Sequence, residues 1–384
     1  MKTKPTKTLT AFKAIISNLL FLLISCTSEQ KTDYTDYIDI KRAPVIEAKP
    51  FLSISPSDNI FFGNIADITF ISDGRVVVLD DELLALHLIS RNGELVKTFQ
   101  FEGRGPGEVK NLSNRLRTTE DNIIAIDDYL QYKIALFQLN DEDLEHITDV
   151  AFESSISDFY LINKDQLVLW KSTTNSVQKL VDSIQIVDLN NSDEIQTIRE
   201  FPAQEVITLS GGFGGLNFTI NTTTQFHTRN EFCSNGDRLY HIRTDSLGFR
   251  AYNLDDGQEV LSAIYNQPSE RITNEEKERE VDRILESGSD FWGNDEKARL
   301  ISEMPDYKPQ VKRVKCDLPI GIWLELLNDE EEKWIFISDE GKIEGVFQKI
   351  MEGQIISFHQ GYVFASETDD IGDITLNVYK HSGN

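Results

Sequence analysis

One β-rich unit recurs six times along this chain, and no other feature narrows the fold as much. Its first strand reads Arg75-Val76-Val77-Val78-Leu79 and returns near residues 122, 166, 238, 321 and 361, as in Asn122-Ile123-Ile124-Ala125-Ile126 and Gly361-Tyr362-Val363-Phe364-Ala365. Each copy is followed by an alternating segment: Leu84–Ile89, Lys133–Phe137, Ser183–Val187, Gly248–Tyr252, Trp334–Ile337 and Thr375–Tyr379. Alternation at period two marks strands with one face buried. Turn residues such as Asn92-Gly93 and Glu340-Gly341 then reverse the chain into a further strand.

Three of the five intervals between copies match the about 40–50 residues of a four-stranded propeller blade. The two longer ones contain insertions, 203–227 and 269–309. A small sheet cannot bury both of its faces alone, so stacking in a ring supplies the core. The fold class expected is all-β: a six-bladed β-propeller with four-stranded blades. The sixth unit stops after Tyr379-Lys380-His381 without an outer strand, and residues 45–54 are expected to supply it from the N-terminal side, closing the ring. A pair of β-sandwiches is the competing architecture.

The N-terminus reads as an export signal. Lys2, Lys4, Lys7 and Lys13 precede an apolar run, Ala14 to Ile24, too short to span a bilayer but suited to a signal peptide. The run ends in Leu23-Ile24-Ser25-Cys26, which resembles the bacterial lipobox. The organisation expected is therefore a signal peptide over 1–25, a lipidated Cys26 with a flexible polar tether over 26–44, and the propeller over 45–384. The remaining cysteines, Cys233 and Cys316, each lie six residues before an apolar strand position, Leu239 and Ile322, which suggests adjacent core strands. Export makes a disulfide possible; two small buried thiols is the reading preferred here.

Charge bears on partners. With 64 Asp and Glu against 38 Lys and Arg, the formal net charge is −26. Such a surface repels nucleic-acid phosphates and anionic headgroups, so nucleic acid is not an expected partner and membrane contact is expected through the lipid alone. No acidic run has metal-loop spacing, and none of His87, His146, His227, His241, His359 and His381 forms a His-Glu-x-x-His pair. No cofactor and no metal residues are expected, although ligands drawn from different blades leave a divalent cation open.

Three segments stand out from the repeat. Ser210-Gly211-Gly212-Phe213-Gly214-Gly215, in the first insertion, reads as a mobile loop or a close backbone approach, without the sequence of a phosphate-binding loop. The second insertion holds the helical stretch: Thr273 and Glu276 have capping-box spacing, Val281, Ile284 and Leu285 share a face, and a shorter helix over about 295–303 ends before Pro305. This pair is expected across one face of the ring, as a cover or a lid. Gly103-Arg104-Gly105-Pro106-Gly107-Glu108 reads first as a tight crossover between blades; Arg104 is placed to bind an anion or to pair with Glu108.

The lipobox, the Gly103–Glu108 loop, Met304-Pro305-Asp306-Tyr307-Lys308-Pro309 and the blade strands together resemble the six-bladed β-propeller lipoproteins of Gram-negative bacteria, which are related to NHL-repeat propellers. That resemblance implies a propeller, a lipid anchor and a place in the cell envelope, the outer membrane above all, on its periplasmic or surface side. It implies no established reaction. The function expected is a non-catalytic binding or scaffold module for a glycan, peptide or envelope protein, with Arg104, Glu108, Tyr129, Phe213, His227, Arg229 and Trp292 as candidate contacts. The alternative is a metal-dependent hydrolase or lyase acting on a carbohydrate, lactone or peptide at the channel.

Overall fold

The computed structural model describes residues 33–34, 40–57, 60–174, 180–213, 216–286, 294–317, 320–327, 332–348 and 353–381. Six four-stranded antiparallel sheets form the blades. From the axis outward, blade 1 is Ile65–Phe70, Val76–Asp80, Ala85–Ile89 and Leu95–Gln100; blade 2 is Leu112–Thr118, Ile123–Asp128, Lys133–Asn140 and Asp143–Ala151. Blade 3 is Asp158–Asn163, Gln166–Thr174, Leu180–Asp188 and Asn191–Pro202; blade 4 is Asn230–Ser234, Arg238–Arg243, Leu247–Asn253 and Glu259–Tyr265. Blade 5 is Val311–Asp317, Gly321–Leu326, Lys333–Ser338 and Ile343–Gln348. Blade 6 is Gln354–His359, Tyr362–Thr368, Ile374–His381 and, as its outer strand, Ala48–Ile54.

Each blade's inner strand touches the inner strand of the next, and that of blade 6 touches that of blade 1, so the ring is closed and the sandwich alternative falls. The closing strand is the one expected: Ala48 pairs with His381, Leu52 with Val378 and Ile54 with Leu376. All six repeat copies become second strands, with the alternating segments as third strands.

Burial departs from the one-faced pattern. Every residue of Val76–Asp80 and of Ala85–Ile89 is buried, because the middle strands are covered on both faces. Val77, Leu79, Leu86 and Leu88 pack on blade 2, whereas Val76, Val78 and Ile89 pack on blade 6. The outer strands, such as Leu95–Gln100, keep a half-exposed pattern. Six apolar clusters result, one per pair of neighbouring blades. At roughly 1.5–3 kcal/mol per buried Val, Leu, Ile or Phe, these interfaces are the main stabilising term.

Polar groups staple the blades at the ends. Asp80 and Asp128, both fully buried, end the second strands of blades 1 and 2. Asp80 accepts from Leu83 N in its own turn and from Gly63 N and Asn64 N in the incoming chain. Asp128 does the same with Leu130 N, Gln131 N and Lys110 N. Burial works against each charge, but His87 beside Asp80, the Gln131 side chain beside Asp128 and these backbone donors outweigh it and hold both carboxyls below their usual range.

Cys233 and Cys316 are bonded, with Cα atoms 5.9 Å apart, which corrects the expectation of two free thiols. They sit on the inner strands of blades 4 and 5, which the ring brings side by side. Of the segment read as tether, Asp33–Tyr34 lies parallel to the outer strand of blade 4, and Pro44 O accepts from Val346 N on the outer strand of blade 5. Cys26 and the rest of residues 1–32 lie outside the described residues. No described helix is long and apolar enough to cross a membrane.

Candidate functional site

In a meander that starts at the axis, the chain alternates ends. First-to-second and third-to-fourth turns share one end of the ring. Second-to-third turns and the blade-to-blade connections share the other, the crossover end. Both insertions join an outer strand to the next inner strand, so both emerge at the crossover end. There they pack on each other: the hairpin Ile207–Phe213 and Leu216–Thr222 carries Ile207 and Leu209 against Val281, Ile284, Leu300 and Met304 of α1 (Asn274–Glu286) and α2 (Asn294–Glu303) and the chain just beyond. The expected glycine-rich loop is thus mostly paired strand, Gly211 opposite Phe218 and Gly212 opposite Asn217. Its alternating apolar residues found a helical partner that local sequence did not reveal. The capping box forms as expected: Glu276 N donates to Thr273 Oγ1 at 3.2 Å and Thr273 N to Glu276 Oε2 at 2.9 Å.

The sequence-selected residues lie mainly at this crossover end. Arg104 is exposed, and Glu108 does not hold its guanidinium; the Glu108 carboxylate accepts from Arg104 N at 2.8 Å and Gly105 N at 2.7 Å, shaping the loop as a crossover. Gly103 is glycine because a Cβ there would fall on that carboxylate. Tyr129, 48% exposed, adjoins the same loop through its N–H to Asn111 O. His227 is buried beside Thr224, and burial holds its pKa down. Arg229 NH2 donates to Lys312 O at 2.6 Å, and its Nε lies 3.6 Å from Glu231. Phe213 ends a strand, but its side chain, like all of Trp292, lies outside the described parts. None of the candidates whose side chains are described lines the channel or the large cavity below.

That cavity opens at the opposite end. A basin of about 980 Å³ spreads over the first-to-second turns of blades 1, 2, 3, 4 and 6, with Thr119, Asn163, Asn235 and Gln360 among its polar edges. Its aromatic side is a cluster: Phe70 lies 5.2 Å from Tyr362 and 5.8 Å from His359, and Phe51 lies 5.1 Å from Tyr362. Burial pushes His359 down to about 4, so it presents a neutral ring.

The basin continues into the channel through Thr118, Ser234 and His359, which line both. The channel cavity, about 300 Å³, takes residues from all six inner strands and is charged. Arg117 is its hub: NH2 donates to Asp158 Oδ1 at 3.0 Å, NH1 to Asp67 at 3.3 Å and Nε to Phe159 O at 3.0 Å, joining three blades. Tyr160 OH donates to Asp158 at 2.9 Å, and Arg115 NH1 to Asp127 at 2.8 Å. Burial opposes the Arg117 charge, yet Asp158, Tyr160 and Asp67 outweigh it and raise its pKa. Burial also raises Asp67, against the pull of Arg117 and Lys315. It pushes Glu231 up to about 7, with Asp158 adding to it and Arg229 and Lys315 opposing, and it lowers Lys315. Among the described residues no three of His, Cys, Asp and Glu are grouped to hold a metal ion; the channel wall mixes acids with cations instead.

Sequence reasoning missed this site because it began each unit at the second strand. The signal lies one strand earlier, where short segments carry charge two apart, as Arg115 and Arg117 or Arg313 and Lys315 do.

Comparison with known proteins agrees with the geometry. The model of a family described as 6-bladed beta-propeller matches residues 25–284. No curated protein matches the chain in sequence. Among solved structures, a candidate exported protein of Bacteroides fragilis is 14% identical with a TM-score of 0.54, over 90% of this chain and 98% of that one. A member of the duf4221 family from Bacteroides vulgatus is 12% identical with a TM-score of 0.49, over 88% and 99%. A virginiamycin B lyase from Staphylococcus aureus is 9% identical with a TM-score of 0.41, over 86% and 99%. At these identities the likeness concerns the fold alone.

Proposed function

Because the chain belongs to the six-bladed β-propeller family, we propose that it is an exported, envelope-anchored binding protein that takes its ligand in the basin at the channel mouth. Export is supported by the leader, by the Cys233–Cys316 bond, which belongs to oxidising compartments, and by the description of the Bacteroides fragilis relative. Anchoring rests on the Leu23–Cys26 segment. Replacing Cys26 with Ser should move the protein from the membrane to the soluble fraction, and retention in the membrane would refute the anchor.

One observation carries the binding reading: a cavity of small-molecule size whose wall pairs an aromatic cluster with hydrogen-bonding turn residues from five blades. Flat aromatic faces beside amides and hydroxyls suit a ligand with both apolar faces and polar edges, such as a glycan or a short peptide. The test is titration of the full chain with neutral oligosaccharides and short peptides, repeated with Tyr362→Ala and Phe51→Ala. Binding should weaken about tenfold or more in these variants. Unchanged binding there, with loss in Arg104→Ala or Tyr129→Ala, would move the site to the crossover end.

A hydrolase or lyase is the second reading, favoured by Glu231 alone, since a carboxyl held at about 7 suits general acid–base work. It predicts turnover of whatever the basin binds.

A further inference from the structure

Most charges on the channel wall are closed by a partner. Arg117 joins Asp67 and Asp158, and Arg115 joins Asp127. Two are not. Among the described residues the Lys315 ammonium has no hydrogen bond and no ion pair. The Glu231 carboxylate has one long ion pair, to Arg229 Nε at 3.6 Å, and among the described residues no hydrogen bond, while that guanidinium donates to Lys312 O. Both side chains line the same cavity. An open charge in a poorly hydrated site is costly, and a carboxylate and an ammonium there would gain by meeting.

Both residues stand next to the disulfide in sequence. Glu231 lies two residues before Cys233, so both project from the inner strand of blade 4. Lys315 directly precedes Cys316 on the inner strand of blade 5. The disulfide ties these two strands together, with Cα atoms 5.9 Å apart, and so fixes the frame on which the anion and the cation stand.

We propose that the channel is a subsite for a small zwitterion of the α-amino-acid type, its ammonium received by Glu231 and its carboxylate by Lys315, with its side chain directed to the basin. Asp158 and Arg117 line the same cavity as further charge of each sign. The cavity, about 300 Å³, is at the lower end of the small-molecule range and opens to the basin through Thr118, Ser234 and His359. This deepens the basin reading and rests on it for the ligand's route and for the placing of its side chain.

The test is calorimetric titration of the full oxidised chain with the common free amino acids, their N-acetyl forms and their amides. Each derivative lacks one of the two charges. At least one free amino acid should bind, and masking either charge should weaken it about tenfold or more, as should Lys315→Met and Glu231→Gln separately. Lys315→Met removes an open charge, so its thermal midpoint should hold or rise, and Glu231→Gln, which gives up only the long contact to Arg229, should stay folded; a variant that unfolds would show that its charge had a structural role, and would overturn the proposal. So would the absence of any amino-acid binding, or equal binding of the masked forms. Oligosaccharide binding that persists in both variants without amino-acid binding leaves the basin and removes the zwitterion site. Amino-acid binding indifferent to Tyr362→Ala and Phe51→Ala does the reverse.

Discussion

Cys233 and Cys316, 83 residues apart in sequence, are bonded across the joint between the inner strands of blades 4 and 5. The enclosed chain contains both helices of the crossover-end cap. In the loop-entropy account, a cross-link over such a separation stabilises by up to about 4.5 kcal/mol, and measured values are typically about 2–4. The double variant Cys233→Ala and Cys316→Ala should therefore lower the urea unfolding free energy by about 2–4 kcal/mol, and reduction of the parent should match it. An unchanged midpoint would show that the ring needs no cross-link there.

Arg117 gathers carboxylates from two neighbouring blades, and removing it strands both. Arg117→Met should destabilise the fold by about 3–5 kcal/mol, the range for breaking a buried pair from one side. Adding Asp67→Asn and Asp158→Asn should restore most of that loss. Chemical denaturation of the parent, the single and the triple variant checks this; a single variant as stable as the parent would contradict the hub.

Gly107 has φ 74, and a Cβ there would come within 2.9 Å of the His146 ring. Its N–H donates to Asp149, which also receives Lys133 Nζ at 3.1 Å and His146 Nε2 at 2.9 Å. Gly107→Ala combines strain with a clash and should cost about 1–3 kcal/mol. Thermal melting measures it, and Gly372→Ala, at φ 93 with nothing near its Cβ position, isolates the backbone part.

Stability should depend on pH with two opposed signs. Burial holds His241 at about 3 and His359 and His381 at about 4, below their usual value. Their contribution is present above about 6.5 and is lost as pH falls toward 4. Glu231 is raised to about 7, so its contribution is present below about 4.5 and is lost as pH rises through 7. Glu231→Gln removes that loss. Its stability relative to the parent should grow from pH 5 to pH 8 in urea titrations, and a constant difference would contradict the raised carboxyl.

Much of the architecture was legible in the residues themselves. Val76–Leu79 and its five later copies specify strands through their β-branched and apolar runs, and the capping pair Thr273 and Glu276 specifies a helix start; both signals act over a few residues. The ring followed because six sheets with apolar faces have few other ways to cover them. Even the closing strand could be found, as an unpaired edge at one terminus and a spare strand at the other.

Which polar residues would meet was a different matter. Asp67, Arg117, Asp158, Glu231 and Lys315 come from five strands far apart in sequence, and only closure of the ring sets them around one axis. The same holds for the Cys233–Cys316 bond and for the basin shared by Phe51, Phe70 and Tyr362. Local sequence decides strand, turn and helix because those depend on near neighbours. Charge pairing, cross-linking and cavity shape depend on distances through space, and only the folded ring supplies those.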